Sequence, residues 1–137
     1  MKRRMTALGC MVLLLLTGCS GNDGRHGVAG TVSLDGKPLE EGLICFRPMP
    51  GTGGPSAGCP IQDGRFSLSA DKGVFAGKFR VEITASKKTG RKVKEPMGNI
   101  VDETISIIPE RYNRQSTLTA DVEEGGENAF AFTLESQ

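Results

Sequence analysis

The stretch Gly77–Ala85 alternates without a break. Phe79, Val81, Ile83 and Ala85 fall on one side, and Lys78, Arg80, Glu82 and Thr84 on the other. A period of two is the pattern of a half-buried strand, and a helix cannot keep such residues on one face. It recurs along the chain. Val28, Gly30, Val32 and Leu34 share a face in Gly27–Leu34, and Ile44 and Phe46 do so in Gly42–Arg47. Leu118, Ala120 and Val122 do so in Ser116–Val122, and Phe130, Phe132 and Leu134 in Asn128–Leu134.

Turn chemistry separates these runs. Asp35-Gly36-Lys37-Pro38 ends the first, and Pro48 ends the second before a Gly/Pro loop at 48–56. Asp63-Gly64 is a two-residue type I′ signal. The register it implies pairs Gln62 with Arg65, Ile61 with Phe66, and Cys59 with Leu68. Pro60 cannot donate to a ladder, so its strand belongs at a sheet edge or carries a bulge. The segment 87–104 lacks clean alternation and contains Gly90, Pro96 and Gly98, so it reads as a long loop; Ile105–Ile108 is a short apolar run. Seven strands, or eight with that run, and no convincing helix beyond the N-terminal segment predict an all-β, antiparallel Greek-key sandwich. The 19 glycines and 7 prolines supply the turns that such a fold needs.

The N-terminal segment is of another kind. Lys2, Arg3 and Arg4 precede a Leu-rich apolar stretch from Met5 to Leu16. A charged start and an apolar run of about a dozen residues describe a signal peptide, and the run falls short of the roughly 20 residues that span a bilayer. It ends in Leu16-Thr17-Gly18-Cys19. That ending resembles the lipobox of bacterial lipoproteins. The resemblance implies cleavage before Cys19, a diacylglycerol on its thiol and a further acyl chain such as palmitate on its amine. Two or more buried chains anchor firmly where one does not. Residues 1–18 are then a leader, 19–26 a polar flexible tether, and 27–137 the folded domain. The expected location is lipid-anchored on the cell membrane or outer membrane, with no nucleic acid as partner. Losing Lys2, Arg3 and Arg4 from 17 basic residues leaves 14 against 16 acidic ones, a net charge of −2 with no general pull toward polyanions.

The runs Gly30-Thr-Val-Ser-Leu-Asp-Gly-Lys-Pro-Leu39, Gly42-Leu-Ile-Cys-Phe-Arg-Pro48, Asp63-Gly-Arg-Phe-Ser-Leu68 and Gly77-Lys-Phe-Arg-Val-Glu-Ile83 resemble the carboxypeptidase regulatory-like domain, a transthyretin-like β-sandwich. Ile108-Pro-Glu-Arg-Tyr-Asn113 and Ser116-Thr-Leu-Thr119 are similar to small planctomycete-type lipoproteins carrying that domain. The resemblance implies an exported, non-catalytic module. Transthyretin-like folds also include hydroxyisourate hydrolases, which use several histidines and end in Tyr-Arg-Gly-Ser; this chain ends Phe132-Thr-Leu-Glu-Ser-Gln137.

Few residues point to chemistry. His26 is the single histidine and lies in the tether, which argues against Ser/His/Asp or Cys/His catalysis. No HExxH, CxxC, P-loop or dinucleotide fingerprint occurs, and Asp35, Asp63 and Asp71 read as turn residues rather than a calcium loop. No catalytic residue, metal site or cofactor is assigned. Cys45 and Cys59 are expected on opposite faces, which disfavours a disulfide, although a bulge at Pro60 would alter that. Lys87, Lys88, Arg91, Lys92 and Lys94 form the one dense charge cluster, a solvated loop or a contact for anionic groups. Tyr112 reads as packing against the sandwich end. The function expected is a structural or protein-interaction module using the loops at 48–56 and 87–104. Its partner would be an unidentified envelope protein, with glycan or small-ligand binding as the alternative.

Overall fold

The structure is a computed structural model that describes residues 23–137. Cys19, the leader before it and residues 20–22 of the tether lie outside the described residues. Ten strands follow in chain order: β1 (Val28–Leu34), β2 (Lys37–Pro38), β3 (Glu41–Pro48), β4 (Ala57–Gln62), β5 (Arg65–Leu68), β6 (Gly77–Thr84), β7 (Ser86–Lys94), β8 (Ile100–Ser106), β9 (Thr119–Val122) and β10 (Ala129–Leu134). Single 3-10 turns at Ala70–Lys72 and Glu110–Tyr112 are the helical elements among the described residues.

The molecule is an all-β sandwich made from one curled sheet, with strand order β10-β1-β5-β4-β3-β6-β9 and β2 beside β1. The alternating faces dictate the curl, because every apolar row must meet another. Val28, Val32, Phe66, Leu68, Phe132 and Leu134 from β1, β5 and β10 are buried on one side. Ile44, Phe46, Ile61, Phe79, Val81, Ile83, Ala120 and Val122 from β3, β4, β6 and β9 are buried on the other. Phe46 is fully buried, and its ring lies 6.0 Å from that of Phe66 and 6.4 Å from that of Phe130. It therefore joins the two layers directly.

The sheet turns its corner at Asp63-Gly64. Both residues have positive φ, 49° and 74°, as the type I′ signal requires. The hairpin ladder, however, holds only Gln62 opposite Arg65. The expected pairs Ile61–Phe66 and Cys59–Leu68 do not form, because β4 stays with β3 in one layer while β5 joins β1 in the other. Pro60 thus lies along a stretch of β4 that has no second ladder to interrupt.

One pairing departs from the antiparallel expectation: β1 and β10 run parallel, Ala29 beside Ala129 through Leu34 beside Leu134. The cause is the turn at 123–128, which crosses between layers instead of joining sheet neighbours. Asn128 fixes that turn, its side chain accepting from the Glu123 N–H at 2.8 Å and donating to the Glu123 carbonyl at 3.0 Å. β10 then enters the sheet beside β1 in the same direction.

Other boundaries also differ. The last strand before that turn is only Thr119–Val122, since Ser116 is buried with its hydroxyl donating to the Val81 carbonyl. Ile108 is buried outside any strand. His26, placed in the tether by sequence, exchanges backbone hydrogen bonds with Val74 at 2.6 and 3.1 Å. The largest correction is the segment 87–104. It forms an antiparallel hairpin, β7 with β8, in place of a long loop. With no core to face, its strands carry no apolar alternation.

Gly30 permits the close approach of β10. A Cβ there would stand 1.8 Å from the Phe130 carbonyl oxygen and 2.8 Å from the Phe66 ring. Gly30→Ala is expected to lower stability by about 1–3 kcal/mol through overpacking, and Phe46→Ala by about 3–5 kcal/mol through the lost ring. Denaturant unfolding checks both, and an unchanged midpoint for either would contradict the packing described.

Candidate functional site

The hairpin is an arm on the sandwich. It leaves β6 at Ala85, and the chain returns at Ile107, whose N–H donates to the Ala85 carbonyl at 3.1 Å. Val93, Ile100, Val101, Thr104 and Ile105 supply strand propensity. Glu95-Pro96-Met97-Gly98-Asn99 supplies the turn, with the Glu95 N–H bonded to the Asn99 carbonyl at 2.9 Å and the Gly98 N–H to the Glu95 carbonyl at 2.8 Å. These are the signals by which sequence reasoning could have found the arm. The ladder shifts register between Lys88 and Lys92, around Gly90 with φ 84°.

Cross-strand ion pairs hold the arm. Asp102 receives Lys88 and Lys92, both at 2.8 Å, and Glu103 receives Arg91 at 2.8 Å and the Thr89 hydroxyl at 2.6 Å. The lysine hydrogen bonds hold the Asp102 carboxyl below its ordinary pKa and push Lys88 above its own. Exposed pairs of this kind are screened by solvent and add little to stability. Of the five basic residues singled out in the sequence, Lys88, Arg91 and Lys92 are therefore matched inside the arm. Lys87 and Lys94 have no ion-pair partner among the described residues. Against Glu95, Asp102 and Glu103, the five leave the arm with a net charge of +2.

The arm also exposes apolar side chains: Met97 at 90%, Ile100 at 70% and Ile105 at 55%. Along with Leu43 on β3 and Val93 on β7, they are the large exposed hydrophobics of the described chain. At the arm's base lies a cleft of about 750 Å³ whose wall includes Lys37, Lys87 and Lys88 together with Glu40, Glu41 and Asp63. Equal numbers of each sign suit no strongly charged ligand.

The other expected contact region, 48–56, is docked rather than free. The Thr52 hydroxyl accepts from the Lys78 N–H at 2.9 Å and donates to the Lys78 carbonyl at 3.0 Å, and Gly54 lies against Phe75. This loop shares its end of the sandwich with Asp23–His26, where the described chain begins. The arm springs from the opposite end.

Cys45 and Cys59 are free, half-buried thiols. Ile44 is the ladder partner of Cys59 and Gly58 that of Cys45, so the two sulfurs point to opposite faces. Burial pushes both thiols up in pKa. Tyr112 packs beside the core with its hydroxyl accepting from the Glu135 N–H at 3.1 Å, and the Arg111 guanidinium stands 4.8 Å from its ring. No cluster of three His, Cys, Asp or Glu suited to a metal occurs among the described residues.

No family model and no curated protein matches the chain. Among solved structures, a 9R-lipoxygenase from Cyanothece aligns at a TM-score of 0.35 and 14% identity, over 98% of this chain and 18% of that one. The chain thus spans under a fifth of that enzyme's length, and a likeness this slight carries no argument about fold or chemistry.

The arm's ion pairs set a pH dependence. Because pairing depresses the Asp102 pKa, its contribution is complete above the ordinary carboxyl value of 3.8 and is lost as pH falls through the lower folded value. Protection from amide exchange along β7 and β8, taken relative to the intrinsic rate at each pH, should therefore fall on acidification below that value, and Asp102→Asn should lower it likewise at neutral pH. Equal exchange in the variant and the parent would show that the pairs do not hold the arm.

Proposed function

We propose that this protein is a lipid-anchored, exported module of the carboxypeptidase regulatory-like type, and that it contacts an envelope protein through the β7–β8 arm. The observation that carries this reading is the arm itself: a hairpin outside the core that combines unpaired basic side chains with Met97 and Ile100, the most exposed large apolar ones among the described residues. Interaction sites combine exposed apolar side chains with a polar surround, and the arm carries both.

The anchor supports the same reading. A tether from Cys19 would enter beside Asp23, at the end remote from the arm. The strands between the two ends run seven or eight residues, or about 25 Å at 3.3 Å per residue. The arm is thereby presented away from the membrane that holds the anchor, which favours a protein partner over the anchoring lipids. A glycan would need an aromatic platform. Phe46, Phe66, Phe79 and Phe132 are buried, Phe130 packs against the core, and Phe75 lies against Gly24 and Gly54.

Cross-linking in intact cells, followed by detergent extraction, tests the proposal, with Cys19→Ser as the unanchored control. A protein partner should co-purify with the anchored chain. It should be reduced by K87Q/K94Q, which spares the arm's own ion pairs, and lost when Lys88, Arg91 and Lys92 are also neutralised. A partner captured equally by all variants would place the contact elsewhere, and failure to capture any protein would count against the interaction reading.

A further inference from the structure

We infer that the outer edge of β8 is a strand-pairing site for a second copy of this chain, joined antiparallel about Glu103. The inference rests on the reading of the arm as a contact surface and names its occupant. An isolated two-stranded ribbon is marginal in water, and β7–β8 forms its own sheet with no third strand among the described residues.

The two edges of the ribbon differ. β7 carries Lys87, Lys88, Arg91, Lys92 and Lys94, a glycine and a shift in register, the devices that keep an edge from pairing. β8 has none of these. Its sequence Ile-Val-Asp-Glu-Thr-Ile-Ser is four-sevenths β-branched, without Gly, Pro or Lys. Its two acids are already neutralised from β7 by Lys88, Arg91 and Lys92, so the edge offers backbone and apolar side chains with little net charge.

The edge is also self-complementary, as a two-fold contact requires. With Glu103 on the axis, all seven residues of β8 overlap. Val101 then stands opposite Ile105 of the second copy, and Ile105 opposite its Val101. Residues directly opposite share a face, so Val93, paired with Val101 inside the arm, extends each pair into an aliphatic row of three across the joined ribbons. Asp102 meets Thr104, and Ile100 meets Ser106. The two central glutamates each bring their own Arg91. Centring on Asp102 would set Val101 against Glu103, and centring on Thr104 would set Ile105 against Glu103.

The test uses the full chain in detergent, its mass followed against concentration by light scattering. The parent should pass from monomer to dimer. Ile105→Glu, which sits opposite Lys87 within its own arm, should raise the dimer dissociation constant by about tenfold or more, as should Val101→Lys. The double variant V101K/I105E sets a lysine opposite a glutamate in each row and should recover most of the loss. Glu103→Cys should form a reducible covalent dimer and Asp102→Cys should not, since only the residue on the axis meets its own copy within disulfide reach. A single-chain mass at every concentration, or a dimer indifferent to Ile105→Glu, overturns the inference and leaves the β8 edge to a strand of another protein. Its failure is separable from that of the arm-contact reading: a monomer whose partner capture still depends on Lys87 and Lys94 refutes the second copy alone.

Discussion

The sandwich depends on the burial of Phe46 between its layers. The ring comes from β3, in the middle of the four-stranded layer, and reaches Phe66 on β5 and Phe130 on β10 in the other. Phe66 and Phe130 each lie beside Phe132, so four rings form one continuous contact through the domain. Aromatic side chains bury large areas with definite geometry, and here they set the separation of the layers. Gly30 is the counterpart of this packing, a missing side chain that admits Phe66 and the β10 backbone. The tight turn at Asp63-Gly64 belongs to the same arrangement, since it delivers β4 and β5 to opposite layers after a single ladder pair.

That core organises the two ends of the molecule. One gathers the entry of the described chain, the docked loop 48–56 and the turn at 123–128. The other carries the turns around Asp35 and Asp63 and the base of the arm. The arm contributes nothing to the core and is held by cross-strand bonds and surface ion pairs. Such a segment belongs to the low-stability end of a fold, from which contact elements are drawn. Its ion pairs also change the meaning of the basic cluster. Five positive charges within eight positions are reduced by Asp102 and Glu103 to a modest excess, with Lys87 and Lys94 left outside the pairs.

Much of this was legible along the chain. Period-two alternation marked β1, β3, β6, β9 and β10, because each has one face in the core and one in water. Asp63-Gly64 announced its turn because few residue pairs accept positive φ twice. The arm was not legible in the same way. A ribbon exposed on both faces has no apolar face to display, so Val93, Ile100-Val101 and Thr104-Ile105 sat among charges without a period. The parallel run of β10 beside β1 was equally hidden, since a glycine-containing turn reads the same whether it joins neighbours in a sheet or crosses between layers.

By itself the sequence determined that this domain is all-β and which faces of most strands turn inward. These follow from local spacing, and spacing is a property of the chain. Only the tertiary structure decided that β4 and β5 separate after one pair, that β10 runs parallel to β1, that 87–104 folds into an arm, and that Asp102 and Glu103 pair with three of its five basic residues. Each depends on which segments become neighbours: burial of the aromatic core chooses them for β4, β5 and β10, and cross-strand bonds choose them for the arm.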